Sequence, residues 1–105
     1  MLGKKSTDTK INTLIGAGAE LSGDFTLDGS ARIDGKIGGN VTVTGSLILG
    51  AGSVVTGEVQ AASVLIGGEV TGNITAPEKA ELTASAKVLG DIATKVIVID
   101  EHAIF

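Results

Sequence analysis

Leu21-Ser22-Gly23-Asp24-Phe25 states a phrase: apolar, any residue, Gly, any residue, apolar. It returns as Ile33-Asp34-Gly35-Lys36-Ile37, Val55-Thr56-Gly57-Glu58-Val59, Val70-Thr71-Gly72-Asn73-Ile74 and Val88-Leu89-Gly90-Asp91-Ile92. A further apolar residue sits six positions before each: Ile15, Leu27, Leu49, Val64 and Leu82. A partial sixth copy runs from Ile99 to Phe105. The copies start 12, 22, 15, 18 and 17 residues apart, a mean near 17. A unit of that length cannot bury its apolar face alone and must stack on its neighbours. A stack has two ends, and an uncovered end is a place to add another molecule.

The composition sets the terms of that burial. The 105 residues make one domain. There are 16 Gly, 1 Pro and 2 Phe, with no Trp, Tyr or Cys. The core must therefore be rows of Val, Ile and Leu, each contributing roughly 1.5–3 kcal/mol when fully buried. In so small a domain this gain roughly balances the entropy of ordering the chain, so burial by association counts heavily. The net charge is −4, and no basic run exceeds Lys4-Lys5. The cationic face of a nucleic-acid binder and its stacking aromatics are missing. The lack of Cys fits a reducing compartment. No apolar run approaches the roughly 20 residues of a membrane-spanning helix, and the N-terminus has no signal-peptide apolar region.

Residues 1–13 read as a flexible polar tail, with an apolar start at Met1-Leu2 followed by Gly3-Lys4-Lys5. Residues 14–105 form the folded part. Alternation such as Val41-x-Val43 and Ile97-x-Ile99 reads as short half-buried strands. Asp28-Gly29, Asp34-Gly35 and Gly38-Gly39 supply corners, and Pro77 marks another because it cannot donate to a ladder. No 3.6-residue period is sustained, so helices are not expected. These features predict an all-β fold: a single parallel β-helix of about six triangular coils, stacked about 4.8 Å apart. The expected core is Ile15, Leu21, Phe25, Leu27, Ile33, Ile37, Val41, Leu49, Val55, Val59, Val64, Val70, Ile74, Leu82, Val88, Ile92 and Ile99. An uninterrupted six-residue step, as in Ile15-Leu21-Leu27-Ile33, is the mark of a left-handed coil. Elsewhere a four-residue step breaks it, as in Leu49-Val55-Val59, and this favours right-handed winding.

The chain offers little for chemistry. His102 is the single His, whereas a metal hydrolase needs several ligands. No Ser sits in a Gly-x-Ser-x-Gly elbow. Gly16-Ala17-Gly18 and Gly50-Ala51-Gly52 lack the helix and Lys-Ser/Thr of a phosphate loop and read as corners. Gly38-Gly39-Asn40 and Gly67-Gly68-Glu69 lack the tandem Asp pattern of calcium nonapeptides. The scattered carboxylates read as a solubilising outer face, and no cofactor is expected. The last coil, by contrast, is apolar throughout: Val96, Ile97, Val98, Ile99, Ala103, Ile104 and Phe105. An open strand edge on an apolar core is a template for further pairing.

Across residues 14–105 the sequence resembles the bactofilins, a bacterial cytoskeletal family with a right-handed β-helix. The repeated phrase, the stretch Gly72-Asn73-Ile74-Thr75-Ala76-Pro77-Glu78-Lys79 and the ending Ala103-Ile104-Phe105 carry the resemblance. The chain departs from the family in having His102 where a Gly is common. The resemblance implies nucleotide-independent, non-polar filaments, joined N-terminal face to N-terminal face and C-terminal face to C-terminal face. It implies a bacterial cytoplasmic location on the inner membrane face and a scaffolding role for cell shape or cell-wall enzymes. The expected polymer contacts are Ile15 and Leu21 at one end and Ile97, Ile99, Ile104 and Phe105 at the other. The tail residues Met1, Leu2, Lys4 and Lys5 are the expected membrane contacts, each Lys adding roughly 1 kcal/mol near an anionic surface. The competing readings are an acyltransferase-like left-handed β-helix and an ice-binding rod. The second requires stacked Thr rows, and Thr42-x-Thr44 occurs once.

Overall fold

Strands of two to four residues are too short to persist singly and hold only as members of a ladder. In the computed structural model, which describes residues 13–105, each strand pairs with its counterparts one coil away. The strands are numbered in chain order and fall into three parallel sheets. The first contains β1 (Thr13–Ile15), β4 (Ala31–Ile33), β7 (Ser46–Leu49), β10 (Ser63–Ile66), β13 (Lys79–Leu82) and β16 (Ile97–Ile99). The second contains β2 (Glu20–Ser22), β5 (Lys36–Gly38), β8 (Val54–Thr56), β11 (Glu69–Thr71) and β14 (Lys87–Leu89). The third contains β3 (Phe25–Leu27), β6 (Val41–Val43), β9 (Val59–Gln60), β12 (Ile74–Ala76) and β15 (Ile92–Thr94). The chain thus winds as an all-β parallel solenoid of five full turns and part of a sixth. Every crossover returns to the same sheet in parallel, the connection for which right-handed winding is the rule.

The register corrects the repeat as read from sequence. Ile15, Ile33, Leu49, Ile66, Leu82 and Ile99 stack in one column, so successive coils are 18, 16, 17, 16 and 17 residues long. Leu27 and Val64, taken as members of that column, stack instead on Val43 and on Leu47 and Ala80. The unbroken six-residue run is simply the 18-residue first coil. Thr13 pairs with Ala31 as the first residue of β1.

The first corner of each coil accounts for most of the uneven lengths. After the first-sheet strand, corners of four residues and of two residues alternate over the first five coils, and a further four-residue corner follows β16. The long corners are Gly16–Ala19, Gly50–Ser53, Thr83–Ala86 and Asp100–Ala103, each closed by a hydrogen bond from its last N–H to its first carbonyl at 2.9–3.2 Å. The short corners, Asp34-Gly35 and Gly67-Gly68, tuck against them. A Cβ at Gly35 would lie 2.6 Å from the Ala19 carbonyl oxygen, and one at Gly68 would strike Ser53. The second corner is uniform. Gly23, Gly39, Gly57, Gly72 and Gly90 all have positive φ and stack directly. A Cβ at any of the last four would collide with the carbonyl of the glycine in the preceding coil. The second member of this column is therefore Gly39, within Ile37-Gly38-Gly39-Asn40-Val41, and not Gly35.

Inside, Ile33, Ile37, Val41, Leu49, Val55, Val59, Val64, Val70, Ile74, Leu82 and Val88 are buried as expected. Val43, Leu47, Ile66 and the alanines 31, 61, 76, 80 and 86 join them. Strands of the first and third sheets turn two residues inward, and counting one apolar residue per strand overlooks the second. Ile15, Leu21, Phe25, Leu27 and Ile92 are half-buried and Ile99 is exposed, because among the described residues the end strands have a neighbour on one side only.

Gly72→Ala is expected to lower the melting temperature sharply, since left-handed strain of about 1–3 kcal/mol adds to a backbone collision. Gly38→Ala, at an ordinary φ with open space around it, should leave stability within about 0.5 kcal/mol or raise it slightly. Equal melting of the two variants would refute the column. Val70→Asp buries an unpaired charge at a fully buried position and should abolish the cooperative transition in circular dichroism.

Candidate assembly interface

The ends of the rod are built from residues that are core everywhere else. In β16, Ile97 and Ile99 continue the columns of Ala80 and Leu82. Ala80 and Leu82 are 0% and 1% exposed, whereas Ile97 and Ile99 are 43% and 44% exposed. The strand pairs with β13 on one side, leaving its other backbone edge open. Asp100–Ala103 then turns the chain. The His102 backbone N–H donates to Asp100 Oδ1 at 2.9 Å, and His102 Nδ1 lies 3.1 Å from the same oxygen. These bonds, the backbone one foremost, hold the Asp100 carboxyl below its usual pKa. Ile104 begins the sixth pass over the second sheet. It bridges to Lys87, donates to the Ala86 carbonyl at 3.0 Å and accepts from the Val88 N–H at 2.9 Å. Its side chain and that of Phe105 are each 57% exposed. Val96, Val98 and Leu89 extend the same apolar end.

The opposite end presents β1, β2 and β3, one strand of each sheet. Ile15, Leu21, Phe25 and Leu27 lie half-buried there, below the fully buried Ile33, Ile37, Val41 and Val43 of the next coil. The structure thus places Ile15 and Leu21 at one end, and Ile97, Ile99, Ile104 and Phe105 together at the other. Sequence reading put Phe25 and Leu27 in the core without seeing that they share the first coil's open face. It also overlooked the outward Leu14 and Leu89, which strand alternation could have exposed. Met1, Leu2, Lys4 and Lys5 lie outside the described residues.

Between the ends, the corner joining the second and third sheets carries polar side-chain bonds from coil to coil. Asp24 Oδ1 accepts from the Asn40 N–H at 3.2 Å, Asn40 Oδ1 from the Glu58 N–H at 2.9 Å, and Asn73 Oδ1 from the Asp91 N–H at 3.2 Å. These residues directly follow the stacked glycines, so the corners at Gly23, Gly39 and Gly72 each hand a hydrogen bond to the next. Among the described residues there is no group of three or more potential metal ligands and no helix long and apolar enough to cross a membrane. A groove over the third sheet, lined by Thr42, Thr44, Gln60, Thr75 and Pro77, contains no titratable side chain.

A rod of stacked coils with apolar, strand-edged ends belongs to the class of parallel β-solenoids. The comparison with known proteins is specific within that class. The family model for bactofilin, described as polymer-forming cytoskeletal, matches residues 13–105. The crystal structure of an F105R mutant of the bactofilin from Thermus thermophilus matches with a TM-score of 0.79. The match is 39% identical and covers 84% of this chain and 98% of that one. No curated protein matches. The chain belongs to the bactofilin family, a structural cytoskeletal family.

Leu82→Ala and Ile99→Ala remove atoms from one column, and only the first position is closed over within a single rod. In dilute protein Leu82→Ala should cost about 2–5 kcal/mol. Ile99→Ala should cost clearly less, about 1 kcal/mol. Equal losses by denaturant titration would mean that Ile99 is already covered.

Proposed function

We propose that this chain assembles end to end, without nucleotide, into non-polar filaments on the inner face of the cytoplasmic membrane. The observation that carries this reading is the pair of core columns ending in half-exposed Ile97 and Ile99 beside an open strand edge. A second rod closing over that end would bury them, together with Ile104 and Phe105, and satisfy the backbone edge. Two-fold pairing of like ends makes each junction isologous, so the filament has no polarity. Ile15 and Leu21 take the corresponding place at the other junction. Each subunit adds the weak foot of Met1, Leu2, Lys4 and Lys5. A filament presents many such feet, so membrane binding follows from polymerisation. Filaments held there would serve as a scaffold for cell-shape or cell-wall machinery. Family membership supports polymer formation, and the same end surfaces account for it without a catalytic centre.

Phe105→Arg tests the junction. A charge there would meet its twin across the two-fold with no partner. The rod should keep its melting temperature while light scattering falls to monomers or dimers. Long filaments from this variant would overturn the assignment, as would assembly of the native chain only after nucleotide is added. In sedimentation with anionic liposomes, the native chain should bind, while Phe105→Arg and a chain lacking residues 1–5 should not. Equal lipid pelleting of the shortened chain, corrected for its own sedimentation, would remove the membrane role.

A further inference from the structure

The ladder register aligns one row along the outer face of the first sheet: Leu14, Arg32, Ile48, Leu65, Glu81 and Val98. Each is flanked along its strand by inward-turned residues, so each faces outward. Leu14 and Val98 are 66% and 44% exposed. The two charges have partners on their own chain. Arg32 Nε lies 3.0 Å from Asp34 Oδ2, and Lys79 Nζ lies 3.5 Å from Glu81 Oε1. Read along the rod, the row runs apolar, positive, apolar, apolar, negative, apolar. Turned end for end, it is its own complement. Leu14 then meets Val98, Arg32 meets Glu81, and Ile48 meets Leu65, each contact occurring twice across one two-fold axis. Laid in the same direction, two such rows would set Arg32 against Arg32 and Glu81 against Glu81.

We propose that this face is a lateral self-association surface, on which a second copy of the chain lies antiparallel with its axis between β7 and β10. Charge complementarity selects the direction, because like charges directly opposed disfavour the parallel arrangement. The other faces lack this combination. The outward residues of the third sheet, Thr26, Thr42, Gln60, Thr75 and Ala93, offer neither charge nor a large apolar group. On the second sheet, the row Glu20, Lys36, Val54, Glu69 and Lys87 has one apolar member among solvated charges, whose pairing is worth little. The first-sheet row spans five strand spacings, about 24 Å, which is small for a stable complex of two single rods. The contact is therefore weak for one pair and accumulates where rods are arrayed. It does not require end-to-end assembly.

The test uses cross-links at mid-rod positions that no end-to-end junction can bring together. The native chain has no Cys, so Ile48→Cys and Leu65→Cys each introduce a unique thiol. Full chains of the two variants, one isotope-labelled, are mixed and treated with a short bis-maleimide, and the links are assigned by mass spectrometry. Links from position 48 to position 65 between chains should exceed 48-to-48 links, and links from a Thr42→Cys control, by about tenfold or more. Adding Arg32→Glu to both chains should cut them at least about tenfold, as should Glu81→Arg alone. Combining Arg32→Glu with Glu81→Arg should restore them. Circular-dichroism melts establish that each variant is folded. Dominant 48-to-48 links, links indifferent to the charge reversals, failure of the double reversal to restore them, or links absent from the native background would each overturn the proposal. So would a rise in linking when residues 1–12 are removed, which would make the chain's own tail the occupant of the face.

Discussion

The stacked glycine corner fixes the rest of the structure. At Gly23, Gly39, Gly57, Gly72 and Gly90 the chain turns with positive φ, and each coil's carbonyl sits where the next coil's Cβ would be. Only a residue without a side chain lets the coils approach to strand-pairing distance there. Once that corner is set, the second and third sheets are joined by the same two-residue turn in every coil, and Asp24, Asn40, Glu58, Asn73 and Asp91 follow its glycines. The Asp24, Asn40 and Asn73 side chains then take up N–H groups of the following coil. A tight backbone corner thus becomes a polar edge running the length of the rod. The first corner has no such uniformity. It has four-residue and two-residue versions, and the two-residue ones fit because Gly35 and Gly68 leave room for the carbonyls and hydroxyl of the longer corner beside them.

The same geometry limits the core. Three short sheets enclose a narrow interior with few side-chain positions per coil, and the chain fills them with Val, Ile, Leu and a set of alanines. Ala80 under Ile97 and Ala31 under Leu47 show small residues opposed to large ones in one column. This alternation packs without voids. It also means that no coil is self-sufficient, since its inward residues are covered only by the coils on either side. The exposed state of Ile97 and Ile99 therefore needs no special sequence. It is the ordinary inward pattern of a coil seen where the neighbour is missing.

Much of this was legible in the sequence because it is written in short-range spacing. The apolar-x-Gly-x-apolar phrase marks a local corner, and a local corner repeats in sequence as it does in space. Val55-Thr56-Gly57-Glu58-Val59 and Val70-Thr71-Gly72-Asn73-Ile74 superpose in the ladder as they align on paper. What eluded spacing was the register. Ile33-Asp34-Gly35-Lys36-Ile37 fits the phrase and sits at the other corner, because a two-residue turn with Gly looks alike wherever it closes. Leu27 and Val64 fit the six-residue step while stacking in neighbouring columns, since strands of the first and third sheets each send two residues inward. The end residues could be named because they are the last apolar ones of the chain. The outer row of Leu14, Ile48, Leu65 and Val98 could not, because its members are 17, 33 or 34 residues apart and align only once coil lengths are known.

Periodicity also decides where this molecule can act. Along the sides each coil repeats the cover that its neighbours give to inward residues and strand edges. The repeat breaks only at the ends, where inward residues and a strand edge meet solvent together. Another strand carrying inward apolar residues would answer both, and in the proposed end-to-end assembly another copy of the same rod would supply it. The sides can discriminate only through the order of residues along a row, and the first sheet's row has an order that distinguishes one direction from the other. In the proposed assembly, end contacts would extend a rod, whereas a row with a direction would align rods beside one another. In a chain that contributes so little core per coil, both contacts draw on the same shortage of covered apolar surface.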